Sequence, residues 1–256
     1  MSLREGDRGE ALAAVLHEAA DVIEEALRDL DDWGLAGTRP GQHRSDLVAD
    51  EAVVPVLRDA GLGVLSEESG LHDSDREIVA IVDPLDGSTN ASRGLPWYGI
   101  SLCAVDDEGP RAALVVNLPQ GSRFEALRGK GAHVDGVRLR STDCTEVGRA
   151  IVGLSGMPPR PFGWQQYRAM GSLALDLCEV ARGGLDAFVD CSLSGAGPWD
   201  YLGGMLICRE AGAVVADAFD RDLVGLDHGL RRTPIAAATP TLLDRLVAAY
   251  RDVRRE

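Results

Sequence analysis

Four carboxylates in one short stretch of this chain can share a ligand. The apolar run Ile78-Val79-Ala80-Ile81-Val82 ends at Asp83-Pro84-Leu85-Asp86-Gly87, which predicts a buried strand stopping at a tight turn. Pro84 cannot donate to a sheet ladder and Gly87 tolerates positive φ, so both favour the break. Glu67 and Glu68 follow a second short run, Gly63-Val64-Leu65-Ser66. If the two strands are neighbours, Glu67, Glu68, Asp83 and Asp86 converge. Two ionised carboxylates about 4 Å apart repel by roughly 4 kcal/mol at an effective dielectric near 20. Such a cluster takes up protons or binds cations, and all-oxygen donors suit magnesium, manganese or calcium. A fifth acid, Asp200, stands in Gly197-Pro198-Trp199-Asp200-Tyr201-Leu202-Gly203-Gly204, the opening of an apolar helix rich in small residues. There it is either an acid favoured by the helix dipole or a further ligand aimed at the same cations.

The elements that must hold these residues are legible as periodicity. Apolar residues at helical spacing predict a long amphipathic helix over 8–31, and a second helix starts at Asp46 and runs to about 60. Strands are expected at 63–66 and 77–82. A meander follows, with strands at 98–105, 111–118, 122–127 and 134–139. Strand and helix then alternate: strands at 150–154, 167–170, 185–189, 213–216 and 235–238, helices at 172–181, 199–211 and 240–253. The expected organisation is one layered α/β (α+β) domain over 1–256, with an antiparallel half to about 140 and an α/β half from about 141.

Composition narrows the function. Lys plus Arg number 26 against 41 Asp plus Glu, a net charge of −15, which argues against nucleic acid or an anionic membrane as partner. An anionic substrate stays possible where metal ions invert the local charge. Five widely spaced cysteines without a CxxC read as reduced thiols of a cytoplasmic protein. Five unpaired histidines give no support to zinc or to a histidine-activated nucleophile. The charged start MSLREGDRGE lacks an apolar core and is not a signal peptide, and no run is long enough to span a membrane.

Glu67-Glu68, the string Asp83 to Asn90 and the string Trp199 to Gly204 resemble the signatures of the inositol monophosphatase family, magnesium-dependent and lithium-sensitive phosphomonoesterases. The likeness extends to Gly171-Ser172-Leu173-Ala174 and to Gly183 through Phe188, in order across roughly residues 40 to 217. It implies the five-layer αβαβα sugar-phosphatase fold, a homodimer, two or three Mg²⁺ ions and a small phosphorylated metabolite as substrate. By the same resemblance Glu67, Asp83, the Leu85 carbonyl, Asp86 and Asp200 are metal ligands. Asp50 would pair with the Ser88 hydroxyl to orient the attacking water. Gly87, Ser88 and Thr89 would cradle the phosphate, while Gly171, Ser172 and Asp190 face the substrate. The alternative for Asp50 is a solvated helix acid, with Asp46 as its competitor or a first-turn acid; Asp190 can simply end a strand, and Glu68 reads as supporting or solvated. Two departures surround the substrate rather than the metals. Residues 191–197 form a longer loop than in the inositol enzymes, and Asn90-Ala91-Ser92 lacks the usual aromatic residue. Histidinol phosphate, fructose 1,6-bisphosphate or an adenosine bisphosphate is therefore an alternative substrate to inositol monophosphate, and a non-catalytic binding homologue is the reading from another class.

Overall fold

Two helices cover one face of the larger sheet. The structure, a computed structural model, describes residues 5–253; the first residues of the charged N-terminal stretch lie outside that range. Helix α1 (Glu5–Arg28) buries Leu12, Leu16, Ala19, Ile23 and Leu27 at helical spacing against α2 (Arg44–Asp59) and the sheet beneath. The sheet has β1 (Gly63–Ser66), β2 (Gly70–His72), β3 (Val79–Asp86), β4 (Gly99–Asp106), β5 (Gly109–Asn117), β6 (Ser122–Leu127), β7 (Gly131–Val134) and β8 (Val137–Arg138). A five-residue helix, α3 (Ser88–Ser92), lies between β3 and β4. Strand order is β2-β1-β3-β4-β5-β6-β7-β8; β1 and β3 are parallel and the other pairs antiparallel. Alternate residues enter different cores. Val64, Ala80, Val82, Leu102 and Leu114 face the two helices, while Leu65, Ile81, Cys103 and Val115 face the interior of the molecule.

That interior is filled by α4 (Leu173–Arg182) and α5 (Pro198–Glu210). On their far side lies a second sheet of β9 (Ile151–Ser155), β10 (Gln166–Arg168), β11 (Ala187–Asp190), β12 (Val214–Asp217) and β13 (Pro234–Ala237), ordered β10-β9-β11-β13-β12. Its outer face is closed by α6 (Pro240–Val253), which buries Leu242, Leu246 and Tyr250. The layers run α, β, α, β, α, as expected, and among the described residues no helix is long and apolar enough to cross a membrane.

One expectation about the acidic stretch fails. Strand β3 does not stop at Val82 but continues through Asp83 and Pro84 to Asp86. Its register with β4 shifts between Asp83 and Asp86, so the missing Pro84 N–H falls where the ladder is already interrupted. The reversal comes at Gly87, whose φ of 89° is left-handed. Sequence patterning also missed β2, a three-residue strand that is too short to show a period.

Helix α5 needs its small residues. A Cβ on Gly204 would lie 2.6 Å from the Leu177 Cβ and 3.2 Å from the Ala174 carbonyl oxygen of α4. Gly204→Ala should therefore lower Tm despite the better helix propensity of alanine. Overpacking typically costs about 1–3 kcal/mol against a propensity gain of about 1 kcal/mol. A drop of a few degrees is expected by thermal unfolding; an unchanged or higher Tm would show that the two helices can separate freely.

Candidate metal centre

Strand pairing brings the first two acids together. Ser66 of β1 aligns with Val82 of parallel β3, and the Glu67 amide donates to the Val82 carbonyl at 3.0 Å, so Glu67 leaves β1 beside Asp83. One oxygen of Asp83 accepts the Leu85 amide at 3.0 Å, which fixes the carboxylate over its own turn. Asp83 also pairs in register with Ser101 of β4, whose hydroxyl donates to the Trp199 carbonyl at 2.9 Å. That bond fastens the first turn of α5 beside Asp83 and so delivers Asp200. Asp200 Oδ2 accepts the Gly197 amide at 2.6 Å, an N-terminal cap that holds the side chain in place. Oxygens of Glu67, Asp83 and Asp200 all lie within 4.8 Å of one another. Asp86 is tied from the other side: its Oδ2 accepts the Ser172 hydroxyl and the Ala174 amide, both at 2.7 Å, joining β3 to the start of α4.

The electrostatics of this arrangement are unfavourable without a cation. Burial, then repulsion from Asp200, raises the Glu67 carboxyl well above the usual range; burial, then Glu67 and Asp86, does the same to Asp83. Burial lifts Asp86 to about 6 even though the Ser172 and Ala174 bonds oppose the shift. Asp200 rises to about 7, through burial first and Asp86 second. A hard divalent ion among these oxygens removes the repulsion, and the donor set is one that magnesium accepts.

The sign of the pH effect follows. In metal-free protein these carboxyls bind protons more tightly folded than unfolded, so their contribution to stability is present at low pH. It is lost as pH rises through about 6 for Asp86 and about 7 for Asp200. Thermal unfolding in chelator should therefore show a falling Tm across that window, and saturating magnesium should flatten the fall. Equal slopes with and without magnesium would mean that no cation occupies the cluster.

A model of the inositol monophosphatase family matches residues 10–255. The chain belongs to this family. A fructose-1,6-bisphosphatase/inositol-1-monophosphatase of Thermococcus kodakarensis is 32% identical over 245 residues, covering 91% of this chain and 94% of that protein. The Nus factor SuhB of Escherichia coli K12 is 28% identical, covering 98% and 95%. Among solved structures, a hypothetical Pyrococcus horikoshii protein with similarities to inositol-1 monophosphatase superposes with a TM-score of 0.84 at 24% identity, over 94% of this chain and 98% of that one. Family and relatives together indicate a phosphatase.

Other expected residues of this inositol monophosphatase family member fall around the acidic cluster in two cavities. One, of ≈ 480 Å³, is bordered by Glu67, Leu85, Ser88 and Trp199. The other, of ≈ 220 Å³, is bordered by Asp86, Gly171, Ser172, Asp190 and Asp200, so Asp190 does face the acidic cluster. Ser172 does more than line it, since its hydroxyl is spent on Asp86. Gly87 caps α3, and a Cβ there would meet carbonyl oxygens of Trp97 and Gly171 at 3.0 and 3.1 Å. Thr89 is exposed and borders neither of these cavities.

The Asp50–Ser88 pair does not form. Buried Asp50 accepts instead from the Ser66 hydroxyl, and Ser66 Oγ in turn accepts the Glu68 amide at 3.2 Å. Asp50 thus braces the turn that presents Glu67, because α2 packs directly on β1. Asp46 is the first-turn acid of α2, accepting the His43 amide at 2.9 Å. Glu68 is not solvated: Arg39 and Gln42 both donate to it. Sequence reasoning passed over Asn90, whose Nδ2 bonds the Trp97 carbonyl at 2.7 Å and the Met170 carbonyl at 2.8 Å, locking α3 to the Gly171 turn. It also passed over His228 and Arg231, which border the larger cavity. Only the Asn within Gly-Ser-Thr-Asn carried a signal, as part of the recognised string.

Proposed function

We propose that the chain is a magnesium-dependent phosphomonoesterase acting on a small phosphorylated polyol or sugar such as inositol monophosphate. The observation that carries this reading is the cluster of buried Asp83 with half-buried Glu67 and Asp200, and Asp86 beside it. Glu67, Asp83, Asp86, Asp200 and the Leu85 carbonyl would hold two or three magnesium ions, which supply charge neutralisation for the phosphoryl group and a lowered pKa for water.

The chain's own groups do the rest. Ser88, bordering the same cavity as Glu67, orients the attacking water through its hydroxyl. The Gly87 and Ser88 amides at the start of α3 take the phosphate oxygens. Asp190, held by a 2.9 Å bond from the Ser192 amide, receives substrate hydroxyls. Asp50 acts at one remove, by fixing Ser66 and hence Glu67. No covalent intermediate enters, and the buried cysteines are poor nucleophiles in any case: burial pushes the Cys208 thiol up to about 12 and raises Cys103 and Cys178 as well. A cytoplasmic homodimer is the working form in this reading.

The second reading is a binding homologue without turnover; one relative carries the name Nus factor rather than that of a phosphatase. An intact acidic cluster favours catalysis. Phosphate release in magnesium from p-nitrophenyl phosphate and from inositol, sugar, histidinol and adenosine phosphates tests the choice. Turnover of some of these esters is expected; silence on all of them would leave the binding role.

A further inference from the structure

A cavity of ≈ 150 Å³ lies between α1 and the far strands of the larger sheet, and shares no bordering residue with the two cavities around the acidic cluster. Ala13, Leu16 and His17, one face of α1, form one wall. Leu114, Glu125 and His133 form the other: Leu114 of β5 pairs in register with Glu125 of β6, and Glu125 with His133 of β7. The space stays open because Ala13 and Gly131 offer no side chain long enough to fill it. Lys130, the single lysine of the chain, also borders it. The turn that carries Lys130 is fixed by Glu210 of α5, whose two oxygens accept the Gly129 and Gly131 amides at 2.7 Å each.

The charged groups here differ in what they have left to bind. Glu125 lies 3.0 Å from His17 Nε2, and Arg123 Nη1 lies 3.2 Å from His17 Nδ1. A guanidinium only donates, so Nδ1 accepts and Nε2 carries the proton given to Glu125. Arg123 is held in turn by Asp21 and Glu24. Lys130 makes no ion pair and no side-chain hydrogen bond among the described residues, and neither do His133 and Arg138, which face each other across β7 and β8. Arg138 Nη2 lies 3.0 Å from where a Gly131 Cβ would stand, so a second uncompensated cation sits at that rim. An apolar pocket edged by an unpaired ammonium fits a ligand with an apolar body and one carboxylate. About 150 Å³ of apolar space takes a benzene-sized group.

We infer that this cavity is a binding site for a small carboxylic acid with a compact apolar body, aromatic or branched aliphatic. The carboxylate meets Lys130, and the body fills the space between Ala13, Leu114 and Leu127. Occupancy supplies the contacts that these apolar walls lack on their open side, and it ties α1 to the β6–β7 turn. The site is independent of the phosphatase reading and stands whether or not the acidic cluster turns over an ester.

The test measures binding of benzoate and 3-methylbutanoate, with benzyl alcohol as the neutral comparator, by saturation-transfer NMR on wild-type, Lys130→Gln, Lys130→Arg and Ala13→Leu proteins. Wild type should bind at least one acid saturably, and more tightly than benzyl alcohol. Lys130→Gln should weaken that acid by about 10-fold, as expected for a lost charge-assisted contact, and Lys130→Arg should keep most of the affinity. Ala13→Leu fills the space and should abolish binding. Because Lys130 is the single lysine, amine acylation read by mass spectrometry on its peptide gives a second readout, and the bound acid should slow it. Tm of each variant separates loss of the site from misfolding; if Ala13→Leu does not fold, the exposed Lys130 variants and the acylation carry the test. No saturable binding of either acid, or benzyl alcohol bound as tightly as both, would overturn the site. So would unchanged affinity in Lys130→Gln or in a folded Ala13→Leu, or acylation indifferent to the acid.

Discussion

Asp200→Asn should lower kcat by about 10³-fold or more while making the metal-free protein more stable. Asparagine keeps an oxygen for the Gly197 amide, so the cap on α5 survives. What disappears is a negative charge within 4.8 Å of Glu67 and Asp83. Several kcal/mol of transition-state stabilisation are at stake when a catalytic cation loses a charged ligand, and each 1.36 kcal/mol is about tenfold in rate. In chelator the same change relieves repulsion, so above the Asp200 value of about 7 the variant should unfold at a higher temperature than wild type. Phosphate-release kinetics and thermal unfolding in chelator read the two effects separately. A variant within tenfold of wild-type kcat, or one less stable in chelator, would contradict the assignment of Asp200 as a ligand.

The second large effect separates Ser88 from Asp50. Ser88→Ala should lose about tenfold in kcat, the loss of one hydrogen bond to the attacking water worth about 0.5–1.5 kcal/mol, and Ser88→Thr should keep most activity. The residue capping α3 is Gly87, and Ser88 makes no side-chain cap, so a merely structural role for its hydroxyl has no bond to act through. Asp50→Asn acts differently. With Asp50 bonded to Ser66, its loss loosens the Glu67 turn and should raise the magnesium concentration needed for half-maximal rate. Asp50→Asn and Ser66→Ala should be strongly non-additive, whereas Asp50→Asn and Ser88→Ala should combine nearly additively. Strong coupling of Asp50 to Ser88 in that cycle would restore the pairing expected from the resemblance.

The acids themselves were legible because each ends or begins an element with a clear period. Asp83 follows a buried β-branched run, and Asp200 opens an apolar helix. The five-layer order came instead from the resemblance to the inositol monophosphatase family, since periodicity gives elements and not how they stack. What sequence did not disclose are contacts between short polar side chains distant along the chain: Ser66 with Asp50, Ser172 with Asp86, Asn90 with Met170, Arg231 over Trp199. Such bonds leave no periodicity, and they depend on how α2, α3 and the loop before β13 settle against the sheets. The wrong end of β3 has a similar origin. Pro84 excludes a ladder bond at one residue, yet a register shift at that residue lets the strand go on.

The most direct test of a cation-dependent phosphatase uses one protein sample before chelation, after it, and after magnesium is restored. Inorganic phosphate release from inositol 1-phosphate and p-nitrophenyl phosphate is followed, with elemental analysis of each state. Turnover should vanish in chelator and return with magnesium. Undiminished turnover in the chelated sample, with no metal found in it, would contradict the account.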